Sequence, residues 1–470
     1  MPYPRRKFIA HALAGVGLLT LGPRVAAAAD IPIPNVTGLY TIKVARVVAP
    51  TSTAEVSREV RDWPGKVAVG GGRYSMGGQV AVRGGLHLDM RGMNKLVSLD
   101  PAARVVRIQA GMRWRDLQEI LDKLNLAVKT MQSYANFTAG GTVSVNGHGR
   151  YVGNGPVGNS VRALQIVLAD GAITEASRTL NYDLFRAAIG GYGAVGVITE
   201  VELDLAENTR MERIVETVAL ESYPQFFERS VKGSQNCILH NADLLPPAFD
   251  APVAVSWRTT TKNLTEPARL VARGQSYALN QNVIFVMTEF PLGDLLRRKV
   301  LHPLLLAKPA VVWRNHEASR DVAELESRTR AMSTYVLQEY FIPVRHFVAF
   351  ARAMAVVIDK HAAEVLNVSV RHSDADPVTL LPWAKEEVFS FVVYYKQRTF
   401  EGAQRRVGEW TRELIDTALK FGGRYYLPYQ LHATKEQFAQ AYPEADELRA
   451  LKQRVDPHGN FSNELWGKYL

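Results

Sequence analysis

A glycine-rich loop behind a short apolar run most constrains the fold of this 470-residue chain. Residues 70–79 read GGGRYSMGGQ and directly follow Lys66–Val69, a run typical of a β-strand. Glycine tolerates positive φ and lets the backbone approach a ligand closely. Successive exposed N–H groups in such a turn form a nest for an anion such as a pyrophosphate. The sequence therefore predicts a strand that ends in a phosphate-binding loop.

Two more glycine-containing segments read TAGGTVSVNGHG over residues 138–149 and GGYGAVGVIT over residues 190–199. They do not fit the common nucleotide motifs. A Rossmann fingerprint opens a helix and precedes an acidic residue by about twenty positions, whereas residues 70–79 lead into more loop and the predicted strand Leu86–Met90. The GK[ST] signature of a Walker loop is absent. A hairpin-rich domain with many tight turns is the alternative to a nucleotide site.

The order and spacing of these three segments resemble the FAD-binding domain of the vanillyl-alcohol-oxidase superfamily, from about Pro50 to Leu205. The resemblance implies an α+β fold, in which a PCMH-type FAD-binding domain is joined to an α+β substrate (cap) domain. It also implies FAD as the cofactor. The cofactor-binding positions that it implies are Gly70, Gly71, Gly72, Arg73, Tyr74, Ser75, Met76, Gln79, Thr138, Gly140, Gly141, Val145, Asn146, His148, Val197, Ile198 and Tyr426.

The second half of the chain is similar to the aldonolactone and alditol oxidases of this superfamily. The similar segments are Leu337–Pro343, Asn367–Arg371, Leu381–Trp383 and the tail Asp456–Asn463. Residues 422–427 are also similar to the branch that contains decaprenylphosphoryl-ribose oxidase. Together with the fall in glycine content after about Glu207, the resemblance implies an FAD-binding domain over 30–206, a substrate domain over 207–425 and a C-terminal segment over 426–470 that returns to the FAD domain.

Four residues are the catalytic candidates that this resemblance implies. His148 matches a histidine of the sugar-oxidising branch, where it would position the substrate hydroxyl or accept its proton. Arg371 would place a cation beside the flavin and stabilise its anionic reduced ring. Glu339 would orient the substrate, and Tyr429 stands where the branch has a lysine. The alternatives are structural: a scaffold histidine for His148, an ion pair for Arg371 and a buried hydrogen-bond partner for Glu339.

Two departures from the family pattern shape the prediction. Ser369 stands where alditol oxidases carry a glutamate, which argues against transferring their polyol activity intact. Arg73-Tyr74-Ser75 stands where many relatives carry a histidine that joins covalently to the flavin. We therefore expect FAD to be bound non-covalently.

The N-terminus has the features of a twin-arginine (Tat) export signal. Arg5-Arg6-Lys7 precedes a moderately apolar stretch and the small residues Val25–Ala29, after which we expect cleavage. The apolar part is shorter than the roughly twenty residues that a membrane-spanning helix needs. Cleavage would remove four cations and no carboxylate, lowering the formal net charge from +10 to +6. The sequence thus predicts a periplasmic or extracellular protein.

The rest of the composition excludes several classes. Lysines and arginines are scattered without a basic-aromatic stripe, which disfavours nucleic-acid binding. Cys237 is the only cysteine and lies in apolar sequence, so we predict a buried thiol and no metal site. Leu301–Trp313 is apolar; buried packing is favoured over a membrane-facing surface. Helices are predicted over Val322–Met332, Val344–Lys360 and Thr399–Leu419.

These observations predict an exported FAD-dependent oxidoreductase. It would oxidise a secondary alcohol of a sugar, aldonolactone or polyol-like small molecule by hydride transfer to flavin N5. Oxygen, or a quinone or other carrier, would then take the electrons. The alternatives are a quinone- or carrier-linked dehydrogenase acting on an apolar or lipid-linked substrate, and a non-catalytic flavin-binding protein.

Overall fold

The computed structural model describes residues 30–277, 308–325 and 330–470, so the predicted signal over residues 1–29 lies outside them. The strands are β1 (Ile31–Pro34), β2 (Thr41–Val44), β3 (Arg46–Val48), β4 (Val67–Gly70), β5 (Leu86–Asp89), β6 (Leu96–Asp100), β7 (Val105–Gln109), β8 (Leu126–Val128), β9 (Val161–Val167), β10 (Ile173–Ser177), β11 (Val197–Glu207), β12 (Arg210–Thr217), β13 (Cys237–Leu244), β14 (Val253–Thr259), β15 (Val311–Trp313), β16 (Ser333–Pro343), β17 (Val365–Ser373), β18 (Val388–Arg398) and β19 (Arg424–Tyr425). The α-helices are α1 (Thr53–Asp62), α2 (Trp114–Leu121), α3 (Ala139–Ser144), α4 (Tyr182–Ala188), α5 (Tyr223–Phe226), α6 (Arg314–Ala318), α7 (Phe347–Lys360), α8 (Glu401–Lys420), α9 (Lys435–Ala441), α10 (Ala445–Val455) and α11 (Glu464–Tyr469).

The N-terminal half contains three sheets. A hairpin joins β1 and β2, and β3, β5 and β4 form a parallel three-stranded sheet. A six-stranded antiparallel sheet has the order β10-β9-β11-β7-β6, with β8 paired to β11. The parallel sheet matters most for the site, because β4 ends at Gly70 and delivers the first glycine segment.

The second half builds an eight-stranded antiparallel sheet in the order β15-β12-β14-β13-β17-β18-β16-β19. Side chains alternate between its two faces along each strand. On β18, Phe389 and Phe391 pack against Phe347 and Phe350 of α7, with ring centroids 5.0 and 4.8 Å apart. The opposite face is turned toward a cavity. One face therefore belongs to the core, and the other is free to carry functional groups.

The C-terminal segment packs back against the N-terminal half. Val67 at the start of β4 donates its N–H to Asn460 O at 2.7 Å and accepts from Ser462 N at 3.0 Å. Farther on, Trp466 of α11 donates its indole N–H to Gly191 O at 3.0 Å. The tail therefore supports both the first and the third glycine segment.

The α+β fold class is confirmed, and most predicted elements are present. The predicted helices over Val344–Lys360 and Thr399–Leu419 are confirmed as α7, preceded by a 3₁₀ turn, and as α8. The helix over Val322–Met332 is wrong: Val322–Leu325 forms a 3₁₀ turn, residues 326–329 lie outside the described part, and β16 begins at Ser333. At the start of this segment Val322 donates its N–H to Asn136 Oδ1 at 2.8 Å, so a contact with the N-terminal half holds the turn, and the run Ser333–Pro343 that follows pairs along its whole length with β18.

Two other predictions concern Cys237 and the apolar run Leu301–Trp313. Cys237 is buried, and burial raises the pKa of its thiol to about 11. Most of Leu301–Trp313 lies outside the described residues; its last three residues form β15. Within the described ranges, no helix combines the length and the apolar character needed to cross a bilayer.

Candidate active site

A cavity of about 550 Å³ lies between the glycine segments of the N-terminal half and the free face of the eight-stranded sheet. Its volume is in the range of small-molecule and cofactor sites. The glycine segments form one wall, which we call the cofactor wall. Side chains of β13, β17, β18 and β16 form the opposite one, the cap wall.

The first glycine segment meets the cavity through its backbone. Gly71 and Gly72 line it, and Gly72 donates its N–H to Thr138 Oγ1 at 3.3 Å. A Cβ added to Gly71 would lie 2.2 Å from the same hydroxyl oxygen. Arg73 follows with φ 62°, a conformation that side chains rarely adopt. The first and second segments are thus held against each other without room for side chains between them.

Arg73 is ion-paired inside the protein. Its Nη2 lies 2.7 Å from Asp89 Oδ2, and Arg91 Nη2 lies 2.6 Å from the same oxygen. Burial would raise the pKa of Asp89, but the hydrogen bond from Arg91 and the charge of Arg73 outweigh it and hold this pKa below its ordinary value. The cofactor wall therefore carries Arg73 in a cluster of two guanidinium groups and one carboxylate, which keeps a net positive charge.

The second segment forms α3 and then a tight turn. Gly140 lies so close to the preceding wall that an added Cβ would be 2.5 Å from Ala110 Cβ and 3.0 Å from its carbonyl oxygen. After α3 the chain turns at Asn146, which has φ 47°, and places His148 in the cavity wall. The second glycine segment therefore both lines the cofactor wall and positions the titratable side chain of His148.

The cavity brings together most of the predicted cofactor-binding residues. Those that line it are Gly71, Gly72, Arg73, Tyr74, Ser75, Met76, Gln79, Thr138, Gly140, Gly141, Val145, His148, Ile198 and Tyr426. Gly70, Asn146 and Val197 do not line it. Gly70 lies against His87, with 2.5 Å between an added Cβ and His87 Cε1. Val197 packs in the core beneath β4, and the Asn146 side chain is hydrogen-bonded away from the cavity.

The four catalytic candidates also line the cavity, and three of them form one cluster. His148 Nε2 lies 2.6 Å from Glu339 Oε1, off the hydrogen-bond direction, so this is a close electrostatic contact. Tyr429 donates its hydroxyl to Glu339 Oε2 at 3.0 Å. Both side chains of the His148–Glu339 pair are buried, at 5 and 1 % exposure. The sequence gives no reason to expect that Tyr429 and His148 contact the same carboxylate. The fold brings them together at Glu339.

Electrostatics keep Glu339 ionised. Burial alone would raise its pKa, yet His148, Arg371 and the Tyr429 hydrogen bond bring the pKa below its ordinary value. In turn, burial and the Glu339 charge raise the pKa of Tyr429. Tyr429 is therefore a proton donor to a carboxylate and stays neutral.

Arg371 lies on β17 with its side chain toward the cavity. Among the described residues no carboxylate oxygen comes within ion-pair distance of it, and its buried Nε has no hydrogen-bond partner. The predicted alternative, a structural ion pair, is therefore not present in the described structure. The guanidinium is a cation with unused donors that faces the same space as His148.

The cap wall contains residues that sequence reasoning missed. They occupy alternate positions of paired strands: Asn241 and Asp243 on β13, Asn367 and Ser369 on β17, Val392 and Tyr394 on β18, and Tyr335 and Leu337 on β16. Two-residue periodicity counted outward from Glu339 and Arg371 is the signal that could have found those on β16 and β17. Strand order, which brings β13 and β18 beside them, has no local sequence signal.

The aromatic surroundings of His148 come from three separate parts of the chain. Its ring centroid lies 4.8 Å from that of Trp383, 5.6 Å from Phe341 and 5.8 Å from Tyr426. Tyr426 is fixed in turn, because its hydroxyl donates to Val145 O at 2.8 Å. These contacts restrict the ring and keep bulk water from that side of it.

One group outside the cavity has metal-type ligand atoms, although the sequence predicts no metal site. Within the described residues, His372, Asp374 and Glu387 bring such atoms within 4.8 Å of one another. The ammonium of Lys232 lies 2.7 Å from Glu387 Oε1. A protein cation thus already neutralises this cluster.

The residues of the cofactor wall fit FAD. Glycines whose Cβ atoms would clash leave backbone at the cavity surface, where a dinucleotide can approach closely. The unused guanidinium of Arg371 suits a group that becomes anionic on reduction. The glycines belong to the cofactor wall and Arg371 to the cap wall, so together they favour a redox cofactor that lies between the two walls.

Comparisons with known proteins agree with this geometry. Residues 44–177 match the family "FAD binding domain", and residues 254–469 match "D-arabinono-1,4-lactone oxidase". The chain is 25% identical to L-gulonolactone oxidase of Mus musculus over 89% of this chain and 93% of that protein. It is 22% identical to decaprenylphosphoryl-beta-D-ribose oxidase of Mycolicibacterium smegmatis, over 85% and 88%.

A third relative matches a smaller part of the chain. Cytokinin dehydrogenase 2 of Arabidopsis thaliana is 30% identical over 40% of this chain and 38% of that protein. The chain belongs to the PCMH-type FAD-binding superfamily, in its aldonolactone oxidase branch, and is an FAD-dependent oxidoreductase.

Proposed function

We propose that this enzyme oxidises a secondary alcohol of a small sugar, aldonolactone or polyol-like substrate. The observation that carries the proposal is the His148–Glu339–Tyr429 cluster, which faces the cavity opposite an unpaired Arg371. FAD, when bound, supplies the acceptor for the hydride of the carbinol carbon. The protein then has to remove the hydroxyl proton and balance the charge that appears.

His148 is the proposed general base. A carboxylate oxygen 2.6 Å from Nε2 favours a proton on that nitrogen, which leaves the lone pair on Nδ1. Nδ1 has no hydrogen-bond partner among the residues described, and the side chain lines the cavity. A base oriented by a carboxylate that a third group holds is the arrangement used in many proton-transfer sites. Glu339 accepts from Tyr429 through Oε2 and lies against His148 Nε2 through Oε1, so we assign it the orientation of His148 rather than the removal of the proton.

Residues of the cofactor wall would hold FAD without a covalent bond. Tyr74 takes the place of the linking histidine, and its ring packs 4.8 Å from Phe137. The flavin absorption should therefore pass into the supernatant when the purified protein is precipitated with acid. Flavin that stays in the pellet would contradict this part of the proposal and leave the rest standing.

The reaction is tested by anaerobic flavin bleaching with L-gulono-1,4-lactone, D-arabinono-1,4-lactone, alditols and free sugars. With the substrate that reduces the wild type fastest, His148→Gln should slow reduction on the order of a hundredfold or more, with FAD content retained. Glu339→Gln should have a similar effect, since it removes the charge that orients the base. A flavin that no compound of these classes bleaches would overturn the substrate class, and native rates in His148→Gln would overturn the base.

A second substrate class is favoured by one observation: part of the cap wall is apolar or aromatic, with Leu337, Val392, Tyr335 and Tyr394. Such a surface suits a hydroxylated group that carries an apolar substituent, as in the lipid-linked sugar in the name of the mycobacterial relative. Bleaching by alkyl glycosides but not by the free sugars would select this class. Stopped-flow reoxidation of the reduced enzyme by oxygen and by a soluble quinone decides the electron acceptor.

Export by the Tat pathway is also part of the proposal. It is supported by the arginine pair and small-residue site of residues 1–29, and that pathway suits an enzyme that binds its cofactor before transport. Fractionation of cells that express the full chain should place the shortened protein outside the cytoplasm. Replacing Arg5 and Arg6 by lysine should retain it inside.

A further inference from the structure

The turn that carries His148 is tied to the cap side by a buried carboxylate. Asn146 Nδ2 donates to Asp376 Oδ2 at 2.8 Å, and Asn146 Oδ1 accepts from Gly158 N at 3.1 Å. Asn146 is fully buried and has φ 47°. Its amide is therefore used at both ends, and it holds a backbone conformation that needs support.

Asp376 is an unusual residue at this place. It is 6% exposed, and among the described residues no cationic side chain lies within ion-pair distance of it. Its charge is stabilised by hydrogen bonds alone: Oδ1 accepts from Val378 N at 2.9 Å and Thr379 N at 3.1 Å, and Oδ2 accepts from Thr379 Oγ1 as well as from Asn146. Burying a carboxylate without a counter-ion is costly, so a structural turn alone does not explain why a charge is used here.

The same cap loop makes a second contact with the turn. Trp383 donates its indole N–H to Asn146 O at 2.9 Å, and its ring lies 4.8 Å from the ring of His148. Only Gly147 separates Asn146 from His148, whose Nε2 must meet Glu339. One loop of the cap side therefore fixes both the backbone before His148 and one face of its ring.

We propose that Asp376 is a positioning residue for the catalytic base: through Asn146 it sets the turn that presents His148 Nε2 to Glu339 and leaves Nδ1 toward the substrate. The proposal rests on the proposed role of His148. Asp376 lies outside the cavity, yet in this role it determines which nitrogen of His148, a residue that lines the cavity, carries the proton.

Hydrogen-bond complementarity makes the pair testable by exchange. In Asp376→Asn, two amide side chains face each other, and each can be turned in two ways. Every combination leaves two N–H donors facing each other: between the two amides, at Gly158 N, or at the backbone N–H groups of residues 378 and 379. In Asn146→Asp, two carboxylates face each other. In the double variant N146D/D376N, the carboxylate introduced at position 146 can accept from Gly158 N and from the new amide at position 376, whose oxygen still accepts from Val378 and Thr379. The double variant restores the contact with the same total charge.

The experiment uses the FAD-loaded enzyme labelled with ¹⁵N-histidine. The wild type should show His148, assigned by its loss in His148→Gln, as the Nε2-protonated tautomer. Asp376→Asn should shift it to a mixture of tautomers, lower flavin reduction by on the order of a hundredfold, and keep its FAD. The double variant should restore the wild-type ¹⁵N pattern and most of the rate. Asp456→Asn is the control: Asp456 is similarly buried in the C-terminal segment and accepts from Asn460 N and Phe461 N, but it is also ion-paired with Lys452.

The outcomes separate this inference from the proposed function. An unchanged His148 spectrum and rate in a folded Asp376→Asn enzyme would overturn the positioning role, as would equal spectral changes in the Asp456 control. A shifted tautomer that the double variant corrects would support it even if no lactone or sugar bleaches the flavin, which would count against the proposed substrate alone. If Asp376→Asn does not fold, Asn146→Asp, which breaks the same contact from its other side, is held to the same spectral criterion.

Discussion

The two walls of the cavity are built on different principles. The cofactor wall presents backbone: its glycines exclude side chains, and its cation, Arg73, is ion-paired with Asp89, which it shares with Arg91. The cap wall presents side chains on alternate residues of four strands, and its cation, Arg371, has no carboxylate partner in the described structure. A wall made of backbone can serve one ligand across many enzymes, whereas a wall made of side chains can change with the substrate.

The largest expected effect tests the cofactor wall. Gly140→Ala places a Cβ 2.5 Å from Ala110 Cβ, so α3 has to move and the backbone that faces FAD moves with it. We expect loss of most of the bound FAD, measured as flavin absorption relative to protein absorption after purification. Gly467→Ala is the control, because its Cβ would meet nothing within 4 Å. On the cap wall, Ser369→Ala should keep its full FAD content. Equal FAD loss in Ser369→Ala and Gly140→Ala would break the distinction between the walls.

A smaller effect is expected at Tyr429, where the two walls meet. Tyr429→Phe keeps the ring and removes the hydrogen bond to Glu339, a bond to a charged group worth about 2 kcal/mol. Flavin reduction should fall by roughly tenfold to thirtyfold, with FAD retained.

The pH dependence gives the same substitution a second readout. Because the hydroxyl lowers the pKa of Glu339, its removal raises that pKa. The acid limb of the rate–pH profile should therefore move to higher pH. A profile that stays in place while the rate falls would show that Tyr429 acts on the substrate and not through Glu339.

The contrast between the walls also explains what the sequence could predict. The glycines of residues 70–79 and 138–149 stand in short continuous motifs, so motif and spacing suffice to place the cofactor wall, although the contacts that require them join distant segments. On the cap wall, Glu339 and Arg371 could be named from short motifs, but Asn241 and Tyr394 lie beside them only because β13 and β18 pair with β17 and β16. Strand order depends on the whole core. The Val322–Met332 prediction failed for a similar reason, since a contact with the distant Asn136 holds the described start of that segment as a turn.

Asp376 shows a further limit of local reasoning. It lies between the family-like segments Asn367–Arg371 and Leu381–Trp383 but belongs to neither, and its partner Asn146 was predicted as a cofactor-binding residue. Only the fold brings the two together, at 2.8 Å. Residues that support a site from behind are thus the least accessible to motif analysis, because their role lies in a contact between distant parts of the chain.

The smallest expected effect concerns the support of the cofactor wall and its response to acid. His87 lies beneath Gly70, and its Nδ1 lies 2.9 Å from Val80 O. Burial and the nearby Arg73 lower its pKa from 6.5 to about 4. The unfolded chain therefore takes up a proton as the pH falls below about 6.5, whereas the folded protein does so only near pH 4. In this window the residue should lower the free energy of unfolding by up to about 1.4 kcal/mol for each pH unit of acidification.

His87→Asn tests this contribution, because the amide Nδ2 can still donate to Val80 O but does not titrate. Urea unfolding at about pH 7, 6 and 5, with FAD in fixed excess, should show a shallower loss of stability on acidification than the wild type. The slope should not vanish, because His240 on the cap side is buried neutral as well, with its pKa lowered to about 3 by burial and neighbouring cationic groups. The exposed His458→Asn is the control and should keep the wild-type slope. If His87→Asn also keeps it, His87 does not contribute to the acid sensitivity, which then resides in other buried histidines such as His240 and His432.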